Sequence, residues 1–300
     1  MWNTYKKYIE ENEEIRCWFK VSSNRKKVWN IQLWLIEEFK KICKKHGLKY
    51  YADSGTLLWA IRHKWFIPWD DDTDFAMFRK DYDKFMEIAP KELPKNLVLQ
   101  WNYHNWMCAK LRNENTVATD TIDKDKDYLW GISLDIFPLD YMSKYKIINI
   151  IRLYVLTFTR WILISLKNKE SIMKNTCIRK RYFSYVFRFL FRCFDFNKIF
   201  KIHDNFRKKT IFKDESHVGY LWWGCFLSYN VKDFKQFQEL DFESIKICIP
   251  LWYDNVLKTV YWDYMKPEIY PRHDHLFSVE KWYKELTKNW EIDNSQLFSI

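Results

Sequence analysis

Four carboxylates, Asp70, Asp71, Asp72 and Asp74, stand within five residues in the run PWDDDTD. Side chains on an extended strand alternate faces, so Asp72 and Asp74 project together and an extended Pro68-Trp69 approach brings Asp70 into phase, while Asp71 points the other way. Carboxylates on one face repel each other unless a cation lies among them. Hard divalent ions bind carboxylate oxygens and keep open positions for phosphate oxygens, so the cluster reads as a metal and phosphate site. Three further features point the same way. Ser54, Gly55 and Thr56 follow a short strand and open a helix, where backbone N–H groups can hold a phosphate. Arg62, His63 and Lys64 supply positive charge between that loop and the acids. In SLDIFPLD, Asp135 is alone among apolar neighbours on an expected core strand, an expensive place for a carboxylate unless a metal is shared with Asp72 and Asp74. A structural salt bridge is the plainer account of Asp135.

These residues need a scaffold, and the hydrophobic pattern supplies one. Val28, Ile31, Leu35, Phe39 and Cys43 recur at helical spacing between Lys26 and His46, with Gly47 as a C-cap. Strands are expected at 48–52, 73–78, 97–101, 107–112 and 133–137, with a helical turn over 56–61 and a helix over 81–88. Mixed elements of this kind predict an α+β fold, a mixed sheet flanked by helices. From 145 to 210 the chain turns basic, aromatic and helical. Asn149, Arg152, Thr159 and Arg160 fall near one face of the apolar run 147–166, and Ser184, Arg188, Arg192 and Asp195 make a second polar stripe. An intramembrane Arg costs roughly 2.5 to 3.5 kcal/mol, so neither segment is expected to span a bilayer. The expected alternatives are a packed helical subdomain and a face resting on anionic lipid through 185–196, with Arg188 and Arg192 at head-group level. The expected division is an N-terminal extension (1–25), a catalytic core (26–142), a basic amphipathic helical subdomain (143–213) and a C-terminal part completing the catalytic domain (214–300).

Composition sets the remaining bounds. The 300 residues carry 50 Lys and Arg against 39 Asp and Glu, and this net +11 favours anionic partners. Nucleic acid is not expected among them, because no recognition motif accompanies the charge. Seven cysteines without CxxC or Cys/His ligand spacing read as reduced thiols. The first twenty residues lack a secretory pattern, which predicts a cytoplasmic protein, peripheral at most on the inner membrane face.

The run GTLLWAIRHKWFIPWDDDTD, followed by AKLRNENT and then LDIFPLD, resembles the LicD family of phosphotransferases, relatives of fukutin-type enzymes on the nucleotidyltransferase fold. The segment FESIKICIPLWYDNVLKTVYWDYMKP resembles the family's tail motif, so the likeness covers roughly residues 25 to 275. The resemblance implies Mg²⁺, with Mn²⁺ as a substitute, held by Asp70, Asp72, Asp74 and Asp135. It implies Arg62, Lys110 and Arg112 on donor phosphates, and Asp74 and Asp135 as the catalytic carboxylates, with Asp135 as base. It further implies transfer of phosphocholine or a polyol phosphate from CDP-choline or a CDP-polyol to a glycan or lipid-linked sugar acceptor, with release of CMP. A nucleotidyltransferase releasing pyrophosphate and an inactive glycan- or membrane-binding homologue are the alternatives.

Trp59, Trp65, Trp252 and Trp262 stand where that family usually has glycine, and the chain holds 17 Trp against only 5 Gly. Glycine alone normally supplies roughly 7% of a chain. The pattern predicts glycine codons read as tryptophan, as happens where UGA encodes glycine, whereas Trp69 is tryptophan in the family too. At 59 and 65 an indole is expected to widen the turn or swing out to solvent.

Overall fold

The computed structural model describes residues 7–100, 108–118, 129–167, 186, 189–191, 193–210, 213–222, 225–266 and 277–278. They fall into two compact units. One contains 7–100, 108–138 and the described residues from 232 on, and the other contains 139–231. The boundary lies inside a strand, and the hairpin over 213–230 falls in the second unit.

The first unit begins with a hairpin, β1 (Glu14–Arg16) and β2 (Phe19–Val21), followed by the long helix α1 (Ser23–His46). Ser22 caps α1 by accepting from the Arg25 N–H at 3.2 Å, so the helix starts one turn earlier than its apolar pattern suggests. Gly47 ends it in the left-handed conformation (φ 62°), which only a residue without Cβ adopts cheaply. Then come β3 (Tyr51–Ala52), α2 (Ser54–Arg62), β4 (Asp74–Phe78), α3 (Arg79–Glu92), β5 (Leu97–Gln100), β6 (Ala109–Asn113) and β7 (Val117–Ala118). The strand β8 (Ser133–Ser143) crosses the unit boundary. In the first unit the sheet runs β5-β6-β8-β4-β3. The β3–β4, β5–β6 and β6–β8 pairs are all antiparallel. This is the expected α+β architecture.

Apolar faces of α1 and α3 bury against this sheet. Phe39 packs edge-on to Tyr50 at 4.9 Å and to Phe85 at 5.1 Å, and tilts against Phe75 at 5.6 Å. At Gly131, just before β8, a Cβ would stand 2.2 Å from the Asn113 carbonyl oxygen, so only glycine lets the chain pass that close to the end of β6. Later in the chain the same unit gains β11 (Phe237–Phe242), β12 (Ile245–Pro250), α6 (Tyr253–Tyr261) and β13 (Phe277–Ser278), which pairs with β7. The β12 strand lies beside β3 and α6 packs on α2, and the Tyr51 hydroxyl donates to the Phe234 carbonyl at 2.6 Å.

The second unit contains the end of β8, α4 (Lys146–Lys167), α5 (Phe196–Lys208), β9 (Lys213–Trp222) and β10 (Cys225–Asn230). Asp140 of β8 pairs with Gly219 of β9, and β9 pairs with β10. Ile162, Leu163 and Ile199 form the centre of an apolar cluster between α4 and α5. Arg188 and Arg192 lie outside the described residues. Among the described residues no helix is long and apolar enough to cross a membrane.

The tryptophans divide. Trp262, just past α6, has φ 54° and is 85% exposed, and Trp18 has φ 59° in the two-residue turn between β1 and β2. Trp59, Trp65 and Trp252 do not have positive φ. Contrary to expectation the Trp59 ring is buried, edge-on to Trp69 at 5.3 Å and tilted over His63 at 4.4 Å. Trp65 is half-buried and stacks on His63 at 5.3 Å. A helix interior holds an indole without a special backbone, and the aromatic neighbours provide a pocket for it.

Candidate active site

Two residues of α1 hold the acidic loop from behind. The Arg25 guanidinium donates to the Asp70 carbonyl at 3.1 Å, and Gln32 Nε2 donates to the Asp71 carbonyl at 2.6 Å. The loop is also fixed where it leaves α2. Arg16 makes a bidentate pair with Glu243, Glu243 Oε1 accepts from the Phe66 N–H at 3.2 Å, and the Glu243 N–H donates to the Lys64 carbonyl at 2.8 Å. These bonds hold the loop through its backbone, and the Asp71 N–H in turn donates to Asp70 Oδ1 at 2.9 Å.

Beyond the loop, Asp74 opens β4. Its N–H donates to Thr56 Oγ1 at 2.9 Å, and its carbonyl accepts from the Asp53 N–H at 3.0 Å. The Thr56 hydroxyl therefore ties the first turn of α2 to the acidic strand. A Cβ built on Gly55 would lie 3.9 Å from Asp70 Oδ2, which sets the N-terminus of α2 beside that carboxylate. Ser54 enters the helix with φ 47°, a left-handed backbone that costs on the order of 1 to 3 kcal/mol and is typical of functional turns. Asp135 comes from β8; its N–H donates to the Thr73 carbonyl at 2.8 Å, which brings it alongside the start of β4.

Electrostatics mark the cluster as short of positive charge. Burial, then Asp72, push the Asp70 carboxyl up to about 8, with the Asp71 N–H opposing the rise. Asp74 is raised well above the ordinary carboxylate range, first by burial and then by Asp72, Asp135, Asp53 and Asp70. Asp72 is exposed, Asp70 and Asp74 are half-buried, and Asp135 is buried. The cation beside Asp135 is Lys110, directly opposite it in the β6–β8 register and ion-paired to Oδ2. Ser133 Oγ donates to Asp135 Oδ1 at 3.3 Å and the Cys108 thiol lies 3.8 Å from Oδ2.

The structure thus brings Ser54, Gly55, Thr56, Asp70, Asp72, Asp74, Lys110 and Asp135 into one region. Two expected phosphate contacts are placed otherwise. Arg112 shares a face of β6 with Lys110 but is buried, donating to Gln100 Oε1 at 2.9 Å and to the Gly131 carbonyl. Arg62 sits at the opposite end of α2 from Gly55, its guanidinium 5.5 Å over the Trp59 ring. His63 is held down in pKa by burial and then by Arg62. Asp53, 3% exposed and part of the field on Asp74, was not singled out in the sequence, although it directly precedes the Ser54 loop. Among the described residues, no group of three or more His, Cys, Asp or Glu side chains is arranged so that it could hold a metal ion.

A phosphate-ready helix N-terminus facing strand-borne carboxylates is the plan of a nucleotidyltransferase domain, and residues 47–155 match the family described as LicD/FKTN/FKRP, nucleotidyltransferase domain. That match and the relative described next both carry the LicD name, and the chain is similar to each. It is 27% identical over 247 residues to the lipopolysaccharide cholinephosphotransferase LicD of Haemophilus influenzae, covering 77% of this chain and 88% of the relative. It is also 30% identical over 124 residues to the uncharacterized protein RT0683 of Rickettsia typhi, 39% of each chain.

Proposed function

We propose that this chain is a phosphotransferase that moves a phosphorylated alcohol, phosphocholine or a polyol phosphate, from a CDP-linked donor to a sugar hydroxyl of a cell-surface glycan or teichoic-type polymer, releasing CMP. The observation that carries the reading is the accumulation of Asp70, Asp72, Asp74 and Asp135 around the N-terminus of α2, with Asp70 and Asp74 both driven toward protonation by burial and by their neighbours. The name of the Haemophilus relative supports phosphocholine as the group transferred.

The donor set suits Mg²⁺ or Mn²⁺ in kind, since all four groups offer hard oxygens. Asp70, Asp72, Asp74 and Asp135 would hold the ion, which when bound offsets charge on the donor diphosphate. The chain's own groups do the rest. Backbone N–H groups of Ser54, Gly55 and Thr56 receive phosphate oxygens at the positive end of α2. Lys110 turns from Asp135 to the donor phosphate when substrate arrives. Asp135 then takes the proton of the acceptor hydroxyl, whose oxygen attacks the phosphorus bearing the alcohol. The bond from that phosphorus to the bridging oxygen breaks, and CMP leaves with the electron pair.

Product analysis separates this from nucleotidyl transfer on the same carboxylates. Incubation with CDP-choline, CDP-ribitol or CDP-glycerol plus Mg²⁺ should release CMP. Pyrophosphate released from CTP, with no CMP from any CDP-alcohol, would establish the nucleotidyltransferase instead.

A further inference from the structure

On α4, polar side chains are buried together with apolar ones such as Leu153, Leu156 and Leu163. Asn149 and Arg152 are 5% and 3% exposed, and both are locked by hydrogen bonds within their own unit. Asn149 Oδ1 accepts from the Ser143 N–H at 2.9 Å while its Nδ2 donates to the Ser143 carbonyl at 2.8 Å. Arg152 donates to the Arg207 carbonyl at 2.9 Å and to the Tyr141 carbonyl at 3.3 Å, and two turns on Thr159 Oγ1 meets His203 Nδ1 at 2.7 Å. These contacts fix the rotation of the helix, because buried polar groups cannot give up their partners cheaply. The opposite face is consequently held outward. Ile147, Ile151, Tyr154 and Phe158, at spacings of four, three and four, are 62%, 53%, 71% and 49% exposed. Phe189 and Leu190 of the same unit are exposed as well, at 66% and 60%. An apolar stripe left exposed on a helix whose rotation is fixed in this way calls for an apolar medium or partner.

Charge selects the partner. Residues 144–209 hold seventeen Lys and Arg against three acids, a balance of +14 that exceeds the +11 of the whole chain, and α4 itself contains no Asp or Glu. Two copies meeting through this face would bring like charges together, whereas an anionic bilayer would be attracted. We propose that the exposed stripe of α4 docks the second unit onto anionic lipid, with Ile147, Ile151, Tyr154 and Phe158 seated at the boundary of head groups and acyl chains and the exposed Lys144 and Lys146 at phosphate level. The segment lies in the interface and does not cross it. This inference stands on the helix and its charge and does not depend on the enzymatic reading.

The test is co-sedimentation of the full chain with vesicles of phosphatidylcholine alone and of equal parts phosphatidylcholine and phosphatidylglycerol. The wild-type protein should pellet with the anionic vesicles, release on added salt and ignore the neutral ones. The double change Ile151→Glu plus Tyr154→Glu, at exposed positions, should weaken binding by on the order of tenfold or more at unchanged melting temperature. Tyr154→Ala plus Phe158→Ala provides a milder second variant. Equal binding by the variants, or no preference for anionic lipid, would overturn the proposal. So would a wild-type dimer that the same substitutions convert to monomer, since the face would then be an interface between copies.

Discussion

Lys110 and Asp135 sit directly opposite each other on β6 and β8, and their ion pair places a lysine ammonium on the β8 carboxylate of the cluster. Removing one partner of a buried pair strands the other charge. Lys110→Met should therefore lower stability in divalent-free buffer by roughly 2 to 4 kcal/mol, a little under the range for fully buried pairs because the lysine is partly exposed. If the cluster binds Mg²⁺, the ion should raise the variant's melting temperature more than that of the wild type. An identical Mg²⁺ response in the two proteins would separate Lys110 from the metal site.

Asp74→Asn is expected to abolish turnover while the fold holds. Asp74 is raised by burial and by four neighbouring carboxylates, so removing its charge relieves repulsion, and the melting temperature should stay level or rise. Asp72→Asn should behave in the same way with a smaller stability change, as Asp72 is exposed. Normal CMP release by either variant at saturating Mg²⁺ would remove it from the catalytic set.

Part of this region could be read along the chain, because strand alternation puts Lys110 and Arg112 on one face of β6, whereas Asp72 lies in the loop before β4 and not on the strand that Asp74 opens. What alternation cannot show is which partners lie on that face. Arg112 reaches Gln100 and the Gly131 carbonyl, and Gly131 is there only because the end of β6 passes too close for a Cβ. The stripe of Asn149, Arg152 and Thr159 was legible too. That it turns inward depends on Ser143, Tyr141, Arg207 and His203, groups remote in sequence or carried on other elements.

His203 should make the second unit acid-sensitive. Burial, then Arg207 and Arg160, push its pKa down to about 3, while Thr159 engages its Nδ1. Between about 6.5 and about 3 only the unfolded chain takes up the proton, so stability is complete above the upper value and falls as pH drops below it, by about 1.36 kcal/mol per pH unit. Urea midpoints of the wild type and His203→Gln, compared at about pH 7.5 and about pH 5, should diverge in this direction. Parallel pH dependence in the two proteins would show that His203 does not carry the effect.

Trp18 and Trp262 occupy positive-φ backbone, at φ 59° in a two-residue hairpin turn and φ 54° after a helix, positions that favour glycine. Trp18→Gly and Trp262→Gly should each stabilise by about 1 to 2 kcal/mol, read as a rise in melting temperature. Trp59→Gly should instead destabilise by roughly 3 to 5 kcal/mol or more, because its ring is buried against Trp69 and His63. UGA codons at 18 and 262 would identify both residues as glycine in the natural product. UGG codons with unchanged stability in the glycine variants would show that both tryptophans are native.

The most direct test of the central claim is the initial rate of CMP release from CDP-choline, measured across a Mg²⁺ titration for the wild type and for Asp74→Asn at equal concentration. A saturable Mg²⁺ dependence is expected in the wild type, with no release above the chemical background in the variant. Release that ignores Mg²⁺, or a variant that keeps pace with the wild type, would contradict it.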